Sequence, residues 1–239
     1  MLRNKILRSA LGGGVEPSVF VDSGTTQSTG NTTTYSVSVS CNYTAGDYLI
    51  AFILAHNATN VGTIEITNIV DLAINGTIPT SNDLESAGGR SDINGLAFAA
   101  KASSSGSTVT VDVEYAVAVE QVVVHVVSVT PSQAVIYDTS RQFISTTFPN
   151  SEALTIIPEE TIAVGMTFFT DTGTSTFSVT ADQGTPTIRE SVTNTSDDIA
   201  TRVFTVDPDE ITTGTSVTFT YDSTSTPSGS RAGMLLFSV

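Results

Sequence analysis

Short apolar runs and alternation of apolar with polar residues recur along the chain from Val15 onward, and turn residues separate them. The clearest alternation lies between Thr108 and Tyr115, where valines and a tyrosine occupy one side and polar residues the other. A two-residue period is typical of strands buried on one face, and no amphipathic helix pattern interrupts it. The pattern therefore predicts an all-β protein, with strands at 18–22, 33–41, 47–55, 63–69, 93–101, 107–115, 117–129, 134–138, 142–146, 153–157, 160–169, 175–180, 185–192, 199–206, 215–221 and 231–239.

The second half of the chain repeats the plan of the first. Residues 92–129 are matched by residues 198–239 at offsets that drift only from 106 to 110. Further upstream, a fainter match pairs Asp47–Ala51 with Glu160–Val164. Strands this short and closely spaced predict packed antiparallel sheets. We therefore expect two tandem β-sandwich domains of jelly-roll or immunoglobulin-like type, at residues 15–130 and 131–239, preceded by an N-terminal arm of residues 1–14.

The arm, MLRNKILRSALGGG, differs from the rest of the chain in charge. It contributes +3 to a net charge of −15, so the remaining residues carry −18. Three glycines would act as a hinge to the first strand. The arm is interpreted either as a frayed terminus or as a docking segment that orders on a neighbouring subunit. In the second case the partner-binding residues are Leu2, Arg3, Lys5, Ile6 and Arg8.

The acidic composition limits the classes of partner. With nine Lys and Arg residues against 24 Asp and Glu, no basic face could neutralise a run of phosphates, so nucleic acid is not expected. A strongly acidic surface suits a halophilic or marine source. No apolar run reaches the roughly 20 residues that a membrane helix needs. The single cysteine, Cys41, excludes an internal disulfide and predicts a small buried side chain.

Two tetrapeptides, beginning at Asp22 (DSGT) and Asp171 (DTGT), are similar to the signature of pepsin-like aspartic proteases. That chemistry requires two carboxylates that share a proton. The internal repeat, however, pairs Asp22 with Asp138, and Thr170 replaces the apolar residue that normally precedes the second aspartate. We therefore interpret both tetrapeptides as β-turns and predict no catalytic residue, with an aspartic protease as a remote alternative.

No cofactor or metal site is predicted. The two histidines, His56 and His125, do not form a zinc ligand set, and a partly buried position on a sheet is expected for His125. The acidic clusters at 197–198 and 207–210 lack the spacing of a known calcium loop, although calcium binding stays open. The segment Asn75–Asp92 has no period and is predicted to be a long loop that could carry functional contacts.

The segment Gly46–Phe52 and the strands that end at Val129 and Val239 resemble β-sandwich virion structural proteins of tailed phages and archaeal viruses. This resemblance implies a non-enzymatic capsid-surface subunit, such as a decoration, turret or jelly-roll capsid protein. It also implies homo-oligomers that contact other virion proteins, without a membrane span. The alternative is a tail or fibre adhesin that binds a host surface through Asn75–Asp92.

Overall fold

The structure is a computed structural model that describes residues 15–57, 66–72, 93–132, 138–145, 148–170, 177–194, 199–224 and 232–239. The described segments are almost entirely antiparallel strands, with one 3-10 turn at Pro208–Glu210 and no α-helix among them. The prediction of an all-β sandwich fold is therefore confirmed. The strands are β1 (Val19–Tyr43), β2 (Tyr48–His56), β3 (Ile66–Leu72), β4 (Ile93–Lys101), β5 (Gly106–Thr130), β6 (Asp138–Ser145), β7 (Asn150–Thr155), β8 (Ala163–Thr170), β9 (Phe177–Ala181), β10 (Thr187–Asn194), β11 (Ile199–Val206), β12 (Ser216–Ser223) and β13 (Ala232–Ser238).

Strands β1 and β5 are each 25 residues long and form one antiparallel ribbon that bends back on itself. The sequence pattern divided each of them into two strands, which is wrong. The pairing register shifts between Thr29 and Thr34, and the two halves of β1 then face each other. Between the two halves of β1, Thr26 Oγ1 donates a hydrogen bond of 2.9 Å to the carbonyl oxygen of Ser38. One ribbon therefore contributes to two layers.

Two side chains satisfy backbone groups at the bend, Tyr35 from β1 itself and Asn57 from the residue after β2. The hydroxyl of Tyr35 lies within hydrogen-bond distance of the carbonyl oxygens of Gly30 and Val119. The side chain of Asn57, just after β2, bonds to the backbone of β5. It accepts a hydrogen bond from the Glu120 N–H at 2.6 Å and donates one to the Ala118 carbonyl at 3.2 Å. Because buried backbone groups must find partners, these contacts satisfy the carbonyl oxygens of Gly30, Ala118 and Val119 and the N–H of Glu120 where the ladder shifts register.

The sheets stack as four layers with three apolar cores between them. Layer 1 contains β3 and the adjoining halves of β5 and β1, and layer 2 contains the other halves of β1 and β5 followed by β2 and β4. Layer 3 has the order β10-β11-β8-β13-β6, and layer 4 has the order β7-β12-β9. One core fills the space between layers 1 and 2, a second joins layer 2 to layer 3, and a third lies between layers 3 and 4.

Layers 1 and 2 use the same strand order as layers 4 and 3, except that β10 has no counterpart among the described strands of the first half. The halves of β1 correspond to β6 and β7, the halves of β5 to β13 and β12, and β2, β3 and β4 to β8, β9 and β11. The register equates Tyr48, opposite Val129, with Ile162, opposite Val239. The sequence match had equated Tyr48 with Thr161, one residue away. The domain limits at 15–130 and 131–239 stay a prediction, since one core contains residues of both halves.

Burial agrees with the alternation where the alternation is clean. Val109, Val111, Val113 and Tyr115 are at most 2% exposed and line the first core. Cys41 is fully buried, as predicted, and burial raises the pKa of its thiol to about 12. The closing strand β13 lies between β8 and β6, which agrees with the strand predicted at 231–239.

Candidate functional site

Several predicted site residues lie outside the described residues. These are the arm residues Leu2, Arg3, Lys5, Ile6 and Arg8, together with Asp171, the acidic pair at 197–198 and the loop at 75–92. The described chain begins at Val15, four residues before β1. The predicted site residues that the structure does describe include Asp22 and His125. The structure also describes the surface next to Val15, where the arm joins the body.

Asp22 connects the two halves of β1. Its carboxylate accepts hydrogen bonds from the Ser23 N–H at 2.9 Å and from both the N–H and the side-chain amide of Asn42 at 2.7 Å. These bonds, above all the one from the Asn42 N–H, hold the pKa of Asp22 below its ordinary value, although partial burial opposes them. A protease dyad keeps a proton on one of its carboxyls, whereas the surroundings of Asp22 favour the ionised form. Residues 22–25 pair with β5 inside strand β1, so the predicted β-turn at Asp22 is wrong, and the carboxylate joins layer 2 to layer 1.

Two further aspartates accept backbone N–H groups. Buried Asp47 accepts bonds at 2.7 Å from the Thr44 N–H and from the Thr130 hydroxyl. Asp138, the repeat partner of Asp22, accepts the Thr155 N–H at 2.7 Å and so joins layer 3 to layer 4. Carboxylates that accept N–H groups at turns stabilise local backbone conformations. The sequence contained a signal for this role, because Asp22 and Asp138 occupy matching positions.

His125 is fully buried between layers 2 and 3, more deeply than the sequence analysis predicted. Its Nε2 lies 2.7 Å from the hydroxyl oxygen of Thr201, and its Nδ1 is buried without a hydrogen-bond partner among the described residues. Burial lowers the pKa of His125 to about 3, so the imidazole is neutral at pH 7. The alternation of Val123, His125 and Val127 could have indicated this burial, since all three point into the same core.

Strands β1 and β10 are the last strands of their sheets, and they run side by side at one edge of the stack. The Ser23 hydroxyl donates a 2.7 Å bond to Glu190. The guanidinium of Arg189 lies 3.9 Å from the ring centroid of Phe20, donates to the Thr205 hydroxyl at 2.9 Å, and forms a 3.6 Å ion pair with Asp207. We call residues 15–23 and 187–191 the β1–β10 edge. The sequence analysis missed it, because nothing local connects Phe20 with Arg189.

The exposed large hydrophobic side chains of the described residues all belong to the β1–β10 edge. Four large hydrophobic side chains are between 37% and 49% exposed there, whereas those elsewhere in the described part of the chain are more buried. Exposed apolar groups on neighbouring strands can mark a surface that contacts another molecule. The edge is therefore the best candidate interaction surface, and its exposed members are Val15, Val19, Val21 and Ile188.

Among the described residues, no group of three or more His, Cys, Asp or Glu side chains is arranged to hold a metal ion. The acidic cluster at 207–210 has other partners: Asp207 faces Arg189, and Glu210 accepts the Thr185 N–H at 3.1 Å. In the part of the chain that the structure describes, no helix could span a bilayer.

No protein-family model matches the chain, and no curated protein shows significant similarity to it. One structure to which it is similar is the crystal structure of the infectious bursal disease virus VP2 subviral particle. The alignment covers 100% of this chain and 77% of the VP2 chain, at 10% sequence identity and a TM-score of 0.25. A TM-score this low carries no argument about function. The function must be inferred from the charges and contacts of the chain itself.

Proposed function

We propose that this protein is a non-enzymatic virion structural protein, a capsid-surface subunit that docks through its N-terminal arm. In this role it forms homo-oligomers and contacts other virion proteins, as a decoration, turret or jelly-roll capsid protein. The observation that carries the proposal is the charge contrast between an arm of +3 and a body of −18. A cationic arm attracts acidic neighbours, while the acidic bodies repel one another and do not aggregate indiscriminately.

The described polar residues support a structural role. The carboxylates of Asp22, Asp47 and Asp138 accept backbone N–H groups, so they hold layers and turns in place. The outer face of layer 4 carries small hydroxyl side chains, including the exposed Ser151, which lies 2.7 Å from the Thr220 hydroxyl. Such a face is well solvated, which suits a surface that faces the medium.

Deletion of residues 2–14 tests the proposal through incorporation into particles. We expect at least about a tenfold loss of incorporation, because three screened ion pairs at about 0.5 kcal/mol each amount to about one order of magnitude in affinity. A full-length variant with Arg3, Lys5 and Arg8 changed to Gln separates charge from length, and Lys101→Gln is the control for a cation outside the arm. Undiminished incorporation of the deletion variant would contradict the proposal.

Stoichiometry in purified particles tests the location. A capsid-surface subunit occurs in a copy number that matches the symmetry of the shell. A few copies per particle would instead place the protein in the tail and favour the adhesin alternative. Quantitative mass spectrometry against the major capsid protein makes this measurement.

A further inference from the structure

We propose that the β1–β10 edge is the receptor for the arm of a second copy, so that residues 2–10 of one chain lie against residues 15–23 and 187–191 of another. This inference rests on the proposed function and names the partner of the arm. It follows from three properties of the edge: open backbone, exposed apolar side chains, and negative charge.

From Val19 onward the backbone at this edge is available for pairing, whereas the Ser18 N–H already donates to the Glu160 carbonyl oxygen at 2.7 Å. Within the described ranges, β1 pairs only with β5, and β10 pairs only with β11, so each strand has one side without a neighbour in its sheet. Strands of this kind bind extended segments by adding a strand to the sheet. Neither β1 nor β10 contains Lys or Pro; Pro17 lies just before β1, and the pairing of each strand shifts register once in the edge, between Phe20 and Asp22 and between Ile188 and Glu190.

The apolar side chains at the edge match the apolar residues of the arm. Val19 and Val21 on β1 and Ile188 on β10 are 47%, 37% and 42% exposed. The arm contributes Leu2 and Ile6. Contact between these groups would remove apolar surface from water on both partners, which favours association without any requirement for a further protein.

The charges at the edge also match. Glu16, Asp22 and Glu190 give the edge negative charge, and the ion pair with Asp207 compensates the positive charge of Arg189. The arm has three cations and no acidic residue. Electrostatic attraction of this kind sets orientation and accelerates association, and it weakens as salt is added.

The same geometry favours a second copy as the owner of the docked arm. Each arm leaves its own body at Val15, which is part of the edge, so two copies that exchange arms cover both edges through one self-complementary contact. A contact of this type closes into a two-fold dimer. It also explains how two bodies of charge −18 could associate, because each brings its cations to the partner.

Disulfide trapping tests the inference in full-length protein. Cys41 is the only native cysteine and is buried, so introduced thiols react without interference. One chain carries Ile6→Cys, a second and differently tagged chain carries Val21→Cys, and the mixture is oxidised mildly. We expect the mixed disulfide dimer to form at least about tenfold faster than with Ser178→Cys, a control on the exposed face of layer 4, because docking raises the effective concentration of the two thiols.

Other outcomes overturn the inference. A disulfide within one chain of an Ile6→Cys/Val21→Cys double variant, without mixed dimer, would mean that the arm binds its own body. Equal rates with Ser178→Cys would mean that the arm has no fixed receptor. If mixed dimers are absent while arm deletion still prevents incorporation, the arm binds another virion protein, so this inference fails and the proposed function survives.

A second measurement does not depend on cysteines. Val21→Lys and Ile188→Lys place a cation on the edge and should weaken self-association at least about tenfold in sedimentation equilibrium, without loss of the folded β-sheet circular dichroism signal. Thr180→Lys on the outer face of layer 4 is the matched control. Unchanged self-association of both edge variants would contradict the inference.

Discussion

The two halves of the chain pair their strands in the same order but pass between layers differently. In the first half, β1 and β5 run through two layers as continuous bent strands. In the second half, separate strands occupy the same places: β6 and β7 are separated near Pro149, which has no N–H to continue a ladder. The comparison shows that one strand order is compatible both with a strand that bends from layer to layer and with two separate strands.

The two halves also contribute unequally to the core that they share. Across this core, β5 packs against β11, and β4 packs against β13. Because β13 is the counterpart of β5 and β11 is the counterpart of β4, the two contacts join equivalent strands with the halves exchanged. The first contact contains the polar pair of His125 and Thr201. By register, the matching positions are Leu235 and Gly95, and Gly95 leaves room for the Phe168 ring, which a Cβ atom at Gly95 would approach to 2.9 Å. One contact is therefore polar and the other is entirely apolar.

The largest expected effect concerns the bend in β1 of the first half. A Cβ atom at Gly24 would lie 1.9 Å from the backbone carbonyl oxygen of Ser40, which cannot move aside as a flexible side chain could. We expect Gly24→Ala to reduce the free energy of unfolding by about 3 kcal/mol or more, measured by urea denaturation. In the second half, the matching position in the register is Ser140 on β6.

Gly30→Ala is the control for this prediction. A Cβ atom at Gly30 would come no closer than 3.6 Å to its nearest neighbour, the Tyr35 hydroxyl oxygen, so its effect should be within about 0.5 kcal/mol. Equal stability of the two variants would show that the halves of β1 are not in close contact.

A smaller effect, which depends on pH, distinguishes the polar contact from its apolar counterpart. His125 is neutral in the folded protein with a pKa lowered to about 3 from 6.5, so the unfolded chain binds one more proton between these values. Stability is therefore complete above pH 6.5 and falls as the pH decreases, by about 2 kcal/mol at pH 5. His125→Leu, which introduces the residue found at position 235, should remove this loss in urea titrations from pH 7 to 4.

Leu235→His is the reciprocal variant. It places an imidazole in the apolar contact, without a threonine at the matching position, and should make the protein more sensitive to acid than the wild type. If the wild type and His125→Leu lose stability in parallel as the pH falls, the histidine does not control the shared core.

The smallest expected effect concerns the aspartate that the two halves have in common. Asp22→Asn replaces a carboxylate that accepts three hydrogen bonds, and should cost about 1 kcal/mol at pH 7. Because the pKa of Asp22 is lowered, its contribution is present above the ordinary value of 3.8 and is lost as the pH falls through the lowered value. The difference from wild type in urea denaturation should therefore shrink in acid.

Asp222→Asn is the matched control, because Asp222 accepts the N–H of its own neighbour Ser223 at 2.8 Å. Its effect should be smaller than that of Asp22→Asn. Acid-optimal proteolysis by the wild type that Asp22→Asn abolishes would instead revive the protease alternative.

The fold was predictable from sequence where alternation and repeat agreed. The buried face of Val109–Tyr115 and the paired C-terminal strand followed from period and position. The bend was not predictable, because the threonines and glycine at 29–34 are compatible with a turn or a strand. The burial of His125 was underestimated because its polarity outweighed the valines around it. The contact of Arg189 with Phe20 depends on packing between sheets, which no local pattern records.

In the core between layers 2 and 3, each half of the chain buries apolar side chains of the other half. Cleavage of the backbone near Pro131 would expose a large apolar surface on each fragment if the fragments separated. The two fragments would then either reassociate with each other or self-associate. In effect, the polypeptide carries its own dimerisation partner. Wherever it assembles, the two sandwiches arrive in a fixed one-to-one ratio that no change in expression can alter.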